Sequence, residues 1–131
     1  MNGEVIGFIK GYRPPREQYA IFVWQVGVGE KARGRGIGGR MIAQLAKRLS
    51  RDGVTHVQAT VTPTNTASRN LFSGVGRRAG AEVTVTESWI KESHFPDGTE
   101  HEAEDHFHIG PFSFEDISEA VNQLEETAAK K

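Results

Sequence analysis

The sequence contains no cysteine among its 131 residues. This absence excludes disulfide bonds, thiolate metal sites and a thiol nucleophile. No apolar run approaches the roughly 18 residues that a membrane-spanning helix needs, and the N-terminus is unlike a signal peptide. An excess of one charge is also lacking, since 16 basic and 17 acidic residues leave a net charge of −1. We therefore expect a soluble cytoplasmic protein with no nucleic-acid or membrane partner.

The most informative segment is a glycine- and arginine-rich loop between an apolar strand, predicted over residues 19–28, and an amphipathic helix, predicted over residues 41–49. Glycine lets a backbone approach a ligand closely, and a helix N-terminus offers unpaired N–H groups and a positive dipole end. The arrangement favours a phosphate or pyrophosphate site over a merely solvated turn. The residues concerned are Arg33, Gly34, Arg35, Gly36, Gly38, Gly39 and Arg40.

Two common phosphate-binding motifs do not fit this loop. It lacks the Gly-Lys-Ser/Thr ending of a nucleotide triphosphatase loop. The strand predicted after the helix, over residues 54–61, has no acidic residue at its end, as a dinucleotide site would require. The order of strand, helix and strand predicts a parallel crossover with the helix on one face.

The other alternating segments predict the rest of an α/β fold. The strand at residues 19–28 carries apolar residues on both faces, which predicts burial on both sides. Gly27 and Gly29 predict a bulge or a splayed edge near its end. Further strands are predicted over residues 4–12, 81–89 and 106–110, with an acidic, histidine-bearing loop over residues 91–105.

Two more helices are predicted. The first follows Pro63, with Thr64 or Asn65 as its N-cap. Its apolar side chains Leu71, Phe72 and Val75 are expected to point inward. We expect Gly74, Gly76 and Gly80 to end it. The second begins with a capping box formed by Ser113 and Asp116. Its apolar face contains Ile117, Ala120, Val121 and Leu124.

The spacing Arg33-x-x-Gly36-x-Gly38 resembles the pyrophosphate loop of the GNAT family of N-acetyltransferases. Within that family, three segments are most similar to the L-2,4-diaminobutyrate acetyltransferases of ectoine biosynthesis: residues 22–26, residues 59–69, and residues 101–104 with 109–112. The resemblance implies a GNAT-type mixed central sheet with flanking helices over residues 1–112, followed by a helix and tail over residues 113–131. It covers about residues 3–112 and implies a domain that is N-terminally short.

The resemblance also implies a reaction and a ligand. Acetyl-coenzyme A would donate its acetyl group to the 4-amino group of L-2,4-diaminobutyrate, with no metal. Separately, a small sheet that ends in an added amphipathic helix, predicted over residues 117–124, favours a homodimer. The loop backbone would hold the pyrophosphate, the strand end at Val26, Gly27 and Val28 would polarise the acetyl carbonyl, and the next helix start would contact the pantetheine or phosphate arm. The cofactor-binding residues implied in this way are Val26, Gly27, Val28, Arg33, Gly34, Arg35, Gly36, Ile37, Gly38, Gly39, Arg40, Asn65 and Ser68.

Three residues are candidates for catalysis. An alkyl amine has a pKa of about 10 and must lose a proton before it attacks. His101 and Glu104 match substrate-pocket positions of the family, although a solvated acidic loop is the alternative interpretation. Trp24 could form a wall of the site or belong to the core. Phe72 occupies the place where many relatives carry a tyrosine that protonates the leaving thiolate.

Three other hypotheses stay open. The acceptor could be a different amine, such as an amino acid, a peptide or an aminoglycoside. The short N-terminal part and Phe72 are also compatible with a non-catalytic acetyl-coenzyme A-binding fragment. A metal site could form from His94, His101, His106 and His108, of which the last two would share one face of a strand.

Overall fold

The computed structural model describes residues 7–28, 36–90 and 103–129. Within these ranges the chain alternates between strands and helices, which confirms the predicted α/β class. The elements in chain order are β1 (Gly7–Tyr12), β2 (Ala20–Val28), α1 (Ile37–Ser50), β3 (His56–Val61), α2 (Thr66–Arg78), β4 (Val83–Ile90), β5 (Glu104–Ile109) and α3 (Phe114–Ala129).

The described strands form one mixed sheet in the order β1-β2-β3-β5-β4. β2 and β3 are parallel, and α1 connects them as the predicted crossover. The neighbouring pairs β1–β2, β3–β5 and β4–β5 are antiparallel. The sheet therefore has the mixed topology that the sequence predicts.

The core lies between one face of this sheet and the three described helices. Alternate residues of the central strands, such as Val57 and Phe107, point to this face and are buried. They pack with Ile42 of α1, Val75 of α2 and Ile117 of α3 in one apolar cluster. The opposite face carries exposed aromatic side chains, namely those of Phe8, Tyr12 and Trp24.

The prediction that β2 is buried on both faces is wrong for its second half. Trp24 is 57% exposed, because the described helices cover only the other face of the sheet. The predicted bulge is not at Gly27. The register between β1 and β2 instead shifts between Lys10, which pairs with Gln25, and Gly11, which pairs with Val23. Gly29 falls outside the described residues. The predicted splay is confirmed, because pairing between β2 and β3 ends at Phe22.

Two helix boundaries differ from prediction because glycine has a packing role within the helices. α1 begins at Ile37, four residues before the predicted start at residue 41, and includes Gly38 and Gly39. α2 continues through Gly74 and Gly76 to Arg78. A Cβ atom on Gly76 would lie 2.4 Å from Val83 Cγ2, so glycine allows α2 to pack closely on β4.

The end of the chain agrees with prediction except at β5. Ser113 and Asp116 form the expected capping box, with each residue's backbone N–H donating to the other's side chain at 3.0 Å. β5 begins at Glu104 rather than at residue 106, because residues 104 and 105 continue the ladder to β3 and β4. Among the described helices, none has both the length and the apolar character needed to cross a membrane.

Candidate functional site

A cleft opens where β2 and β3 separate. Their parallel pairing covers only three residue pairs, and beyond Phe22 and Gln58 the strands diverge. A strand edge without a neighbour presents its N–H and C=O groups to a ligand. The resulting cavity of about 260 Å³ is lined by Val23, Trp24, Gln25 and Val26 of β2, by Thr60, Val61 and Thr62, and by Asn65, Ser68, Phe72 and Glu104.

The N-terminus of α1 lies beside this cleft. Gly36 is its N-cap, with φ +70°, and no side chain of the described ranges caps it. The first turn contains no acidic residue, so its unpaired N–H groups and positive dipole end are not neutralised locally. Arg40 in the same turn has a buried Nε that finds no hydrogen-bond partner within the described residues. This helix end is built to attract an anion.

Glycine is suited to positions 36 and 38 of this helix start for different structural reasons. The left-handed backbone at Gly36 favours glycine, and the space in front of it is open. A Cβ atom on Gly38 would instead lie 2.5 Å from Leu71 Cδ1 and 3.7 Å from Val26 Cγ1. Gly38 therefore brings α1 close to α2 and to a strand residue of the cleft, a role that the loop pattern did not indicate. Arg33, Gly34 and Arg35 lie outside the described residues.

The start of α2 forms a second border of the cleft. Asn65 is the N-cap, as predicted, and its Oδ1 accepts a hydrogen bond from the Ser68 N–H at 3.2 Å. Both residues line the cavity. The Asn65 side chain is thus held in one orientation by the helix that it caps, and the Ser68 hydroxyl stands at the cavity wall.

The structure brings two of the three predicted catalytic residues to the same cleft. Glu104 lines it from β5, and Trp24 lines it from the irregular part of β2. Trp24 is too exposed for the core interpretation, and the Lys10 ammonium lies 5.4 Å from its ring centroid. His101 falls outside the described residues. Val26 and Gly27 belong to the diverging part of β2, and Val28 ends that strand.

Phe72, noted from the sequence as a position without a hydroxyl group, lies in α2. Its ring is buried, lines the cleft and lies 6.3 Å from that of Phe107. Sequence analysis assigned no role to three polar residues that line the cavity: Gln25, Thr60 and Thr62. Only the divergence of β2 and β3 brings these side chains to a cavity wall, so no local pattern could have identified them.

A histidine cluster lies on the open face of the sheet, away from the helices. The rings of His56 and His108 stack at 4.7 Å, and His106 shares the strand face of His108 as predicted. Burial, followed by repulsion from His108, lowers the pKa of both His56 and His106, and Glu17 partly opposes this at His106. Within residues 7–28, 36–90 and 103–129, no three side chains form a metal-binding group. His94 and His101 lie outside those ranges.

A larger cavity of about 650 Å³ also lies on this open face, next to His106 and His108. Its walls are mostly the aromatic and polar side chains of the uncovered sheet surface. It contains neither a helix N-terminus nor the diverging strand edges. The smaller cleft is therefore the better candidate for chemistry, because the free edges of two strands and a carboxylate meet there, next to the uncapped N-terminus of α1.

Comparison with known proteins decides the family. A family model described as the acetyltransferase (GNAT) family matches residues 1–76. The chain belongs to the GNAT acetyltransferase family. The resemblance inferred from the Arg33–Gly38 spacing is confirmed, and so is the mixed-sheet architecture expected for this family.

Several relatives bear the same description. L-2,4-diaminobutyric acid acetyltransferase of Marinococcus halophilus is 43% identical over 112 residues, which cover 86% of this chain and 64% of that protein. The protein of the same name from Shouchella clausii is 43% identical over 108 residues, covering 82% of this chain and 60% of that protein. The chain thus spans less than two thirds of the length of these curated relatives.

A solved structure supports the same relationship. It is diaminobutyrate acetyltransferase from Paenibacillus lautus, in complex with its substrate L-2,4-diaminobutyric acid and coenzyme A. Its sequence is 41% identical to this GNAT chain, and the two folds superpose with a TM-score of 0.77. The match covers 86% of this chain and 67% of the other.

Proposed function

We propose that this GNAT chain transfers an acetyl group from acetyl-coenzyme A to the 4-amino group of L-2,4-diaminobutyrate. The observation that carries the proposal is the cleft between β2 and β3, which combines a carboxylate with an aromatic wall. The uncapped N-terminus of α1 lies next to it, where Gly38 approaches Val26 of the cleft. The names of the most similar relatives, and the ligands of the Paenibacillus lautus enzyme, point to this donor and this acceptor.

Acetyl-coenzyme A fits the cationic side of the cleft. The N–H groups at the start of α1, from Gly36 to Gly39, would hold the pyrophosphate, with Arg33, Gly34 and Arg35 as the adjoining loop. The Arg40 N–H, which the loop pattern also suggested, instead donates to the Gly36 carbonyl at 3.1 Å. The buried Arg40 Nε, which lacks a partner among the described residues, supports an anion there. The pantetheine arm would then run past Asn65 and Ser68 into the cavity.

The reacting atoms would meet between β2 and Glu104. Backbone N–H groups at Val26, Gly27 and Val28 would donate to the acetyl carbonyl oxygen as it becomes an oxyanion. Glu104, or the unplaced His101, would take the proton that the ammonium group must lose before attack. The amine nitrogen then bonds to the carbonyl carbon, the carbon–sulfur bond breaks, and the products are an amide and a thiolate.

The thiolate would leave without a tyrosine acid, since Phe72 occupies that position. A thiol with a pKa of about 8.5 is a far better leaving group than an alkoxide, so direct protonation by water suffices. Trp24 would cover the open side of the amine and limit its movement. The Glu104 carboxylate in the cleft would favour a cationic diamine over a neutral or acidic acceptor.

We also propose that the protein acts in the cytoplasm as a homodimer and contributes to ectoine biosynthesis, an osmoprotective process, without nucleic-acid or membrane partners. The pathway follows from the name shared by the relatives. The exposed rings of Phe8, Tyr12 and Trp24 support the dimer, because large aromatic side chains on one sheet surface favour a protein contact. Sedimentation velocity over a range of protein concentrations tests the dimer.

The decisive experiment measures acetyl-coenzyme A consumption with L-2,4-diaminobutyrate and with a panel of amino acids, peptides and aminoglycosides. We expect turnover with the diamine and a fall in kcat/KM of about a hundredfold or more in Glu104→Gln, as is typical when a general base is removed. Glu87→Gln is the matched control, since Glu87 is an exposed carboxylate on β4 outside the cleft. Coenzyme A binding without turnover would instead favour a non-catalytic binder, and the absence of both would overturn the proposal.

A further inference from the structure

A buried ion pair joins the two elements that close the cleft. Arg69 Nη1 of α2 lies 2.8 Å from Asp105 Oδ2 of β5. The Asp105 side chain is only 6% exposed, and that of Arg69 is 31% exposed. The Arg69 guanidinium also lies 5.2 Å from the centre of the Phe107 ring, two residues further along β5. One arginine therefore holds both a carboxylate and an aromatic ring of the same strand.

Each end of this pair is adjacent to a cleft residue. Arg69 follows Ser68, and its N–H donates to the Asn65 carbonyl at 3.1 Å in the first turn of α2. Asp105 follows Glu104, which lines the same cavity as Asn65 and Ser68. The ion pair thus connects the side of the cleft proposed for the cofactor with the side proposed for the amine.

The backbone alone constrains this end of β5 weakly. Asp105 pairs with Val61 in the last residue pair of the β3–β5 ladder. On the other side, the β4–β5 register shifts between Thr86 and Ile90, and the latter pairs with Glu104. A strand end held by one terminal pair and one irregular pair can change register more easily than a continuous ladder.

The register decides where Glu104 points. Successive side chains of a strand point to opposite faces, so a shift of one residue moves the Glu104 side chain, and every other side chain of this segment, to the opposite face of the sheet. Contact with Arg69 keeps Asp105 on the helical face of the sheet. Separating the buried Asp105 carboxylate from its partly exposed cationic partner is unfavourable, and ion pairs that bury one charge can specify one arrangement among several.

We propose that Arg69 and Asp105 are positioning residues that set the register at the start of β5 and thereby place the Glu104 carboxylate in the cleft. The proposal deepens the proposed function, on which it rests, because it assigns the geometry of the amine side to a pair that touches neither substrate. It also predicts that the amine side and the cofactor side respond differently when the pair is broken.

The test is a double-mutant cycle with Arg69→Met and Glu104→Gln. Arg69→Met keeps an unbranched apolar stem and removes the guanidinium with its charge. We expect kcat/KM for L-2,4-diaminobutyrate to fall about tenfold or more, since small displacements of a reacting group have large effects. If Arg69 acts through Glu104, the double variant is no worse than the more damaging single variant. Multiplicative losses, within about twofold, would overturn the proposal.

Two controls separate positioning from general stability. Arg77→Met removes an exposed arginine from the other end of α2 and should leave kcat/KM unchanged. Arg69→Lys keeps the charge without the planar fork and should recover part of the activity. Coenzyme A affinity, measured by calorimetry, should stay within about twofold of the parent in Arg69→Met. The ion pair is not proposed to contact the cofactor, and a substitution has little effect on a site with which it shares no partner.

A measurement without turnover keeps this proposal separate from the proposed function. Amide hydrogen exchange at residues 104–107 reports how stably the start of β5 is hydrogen-bonded in the sheet, and it should accelerate in Arg69→Met but not in Arg77→Met. If the parent chain acetylates no amine, the proposed function fails, while faster exchange at these residues still supports the positioning role. Unchanged exchange would overturn the positioning role whether or not the chain is active.

Discussion

The helices α1 and α3 begin in opposite ways. At α3, Ser113 and Asp116 exchange two hydrogen bonds, and Glu115 and Asp116 place negative charge in the first turn. At α1, Gly36 supplies no side chain, and the first turn carries Arg40 but no acid. One helix end is satisfied by its own residues, and the other keeps its donors and its positive dipole end available. The difference identifies the helix start that is suited to an anion.

The largest expected effect comes from placing at the start of α1 a negative charge like the one that the first turn of α3 carries. Gly36→Asp places a carboxylate where the pyrophosphate of acetyl-coenzyme A is proposed to bind. We expect coenzyme A affinity to fall more than about tenfold, equivalent to about 1.4 kcal/mol, because repulsion replaces attraction at the helix end. Isothermal titration calorimetry at low ionic strength measures the change.

Gly36→Asn is the matched control, because asparagine has nearly the same shape and tolerates the left-handed backbone at this position without adding charge. It should weaken binding much less than Gly36→Asp does. Equal losses in the two variants would show that backbone strain or steric hindrance, rather than charge, governs the site.

A smaller effect is expected from removing the α3 cap. Ser113→Ala deletes the hydroxyl that accepts from the Asp116 N–H. We expect the free energy of unfolding to decrease by about 1 kcal/mol, as is typical for a lost N-cap. Urea denaturation measures this, and Ser113→Thr should retain most of the stability. Coenzyme A affinity should not change, and a clear loss of affinity would contradict the division of roles between the two helix starts.

The smallest expected effect concerns the histidine cluster on the open sheet face, which is separate from both helix starts and makes stability depend on pH. Burial lowers the pKa of His56 and His106 in the folded protein, and repulsion from His108 lowers it further. Below pH 6.5 the unfolded chain therefore binds more protons than the folded chain does. Stability is thus fully present above that pH and is lost as the pH falls through the lowered pKa values.

We expect the loss between pH 7.5 and pH 5.5 to stay below about 1 kcal/mol, because both rings are partly solvated. Urea denaturation at several pH values measures it. His106→Gln should flatten the dependence, and His108→Gln should flatten it less, since burial contributes more than repulsion. An identical pH profile in all three proteins would show that other groups are responsible.

The successful predictions concern residues close together in the chain. Asn65 caps α2 through a bond to Ser68, and the Ser113–Asp116 box spans three residues. Such contacts depend on local backbone geometry, so the sequence indicates them. The early start of α1 and the continuation of α2 through Gly76 were missed for the opposite reason. There, glycine serves packing against Leu71 and Val83, which are not local neighbours.

The amino-acid sequence by itself determined the order of strands and helices and membership of the GNAT family, and it predicts an anion site at the Arg33–Arg40 segment. The tertiary structure alone decided that Trp24 is exposed and that Glu104 lies on a strand at the cleft. It also brought Arg69 to Asp105 across 36 positions of sequence. Contacts of that range depend on strand order and register, which many residues set together and no single motif encodes.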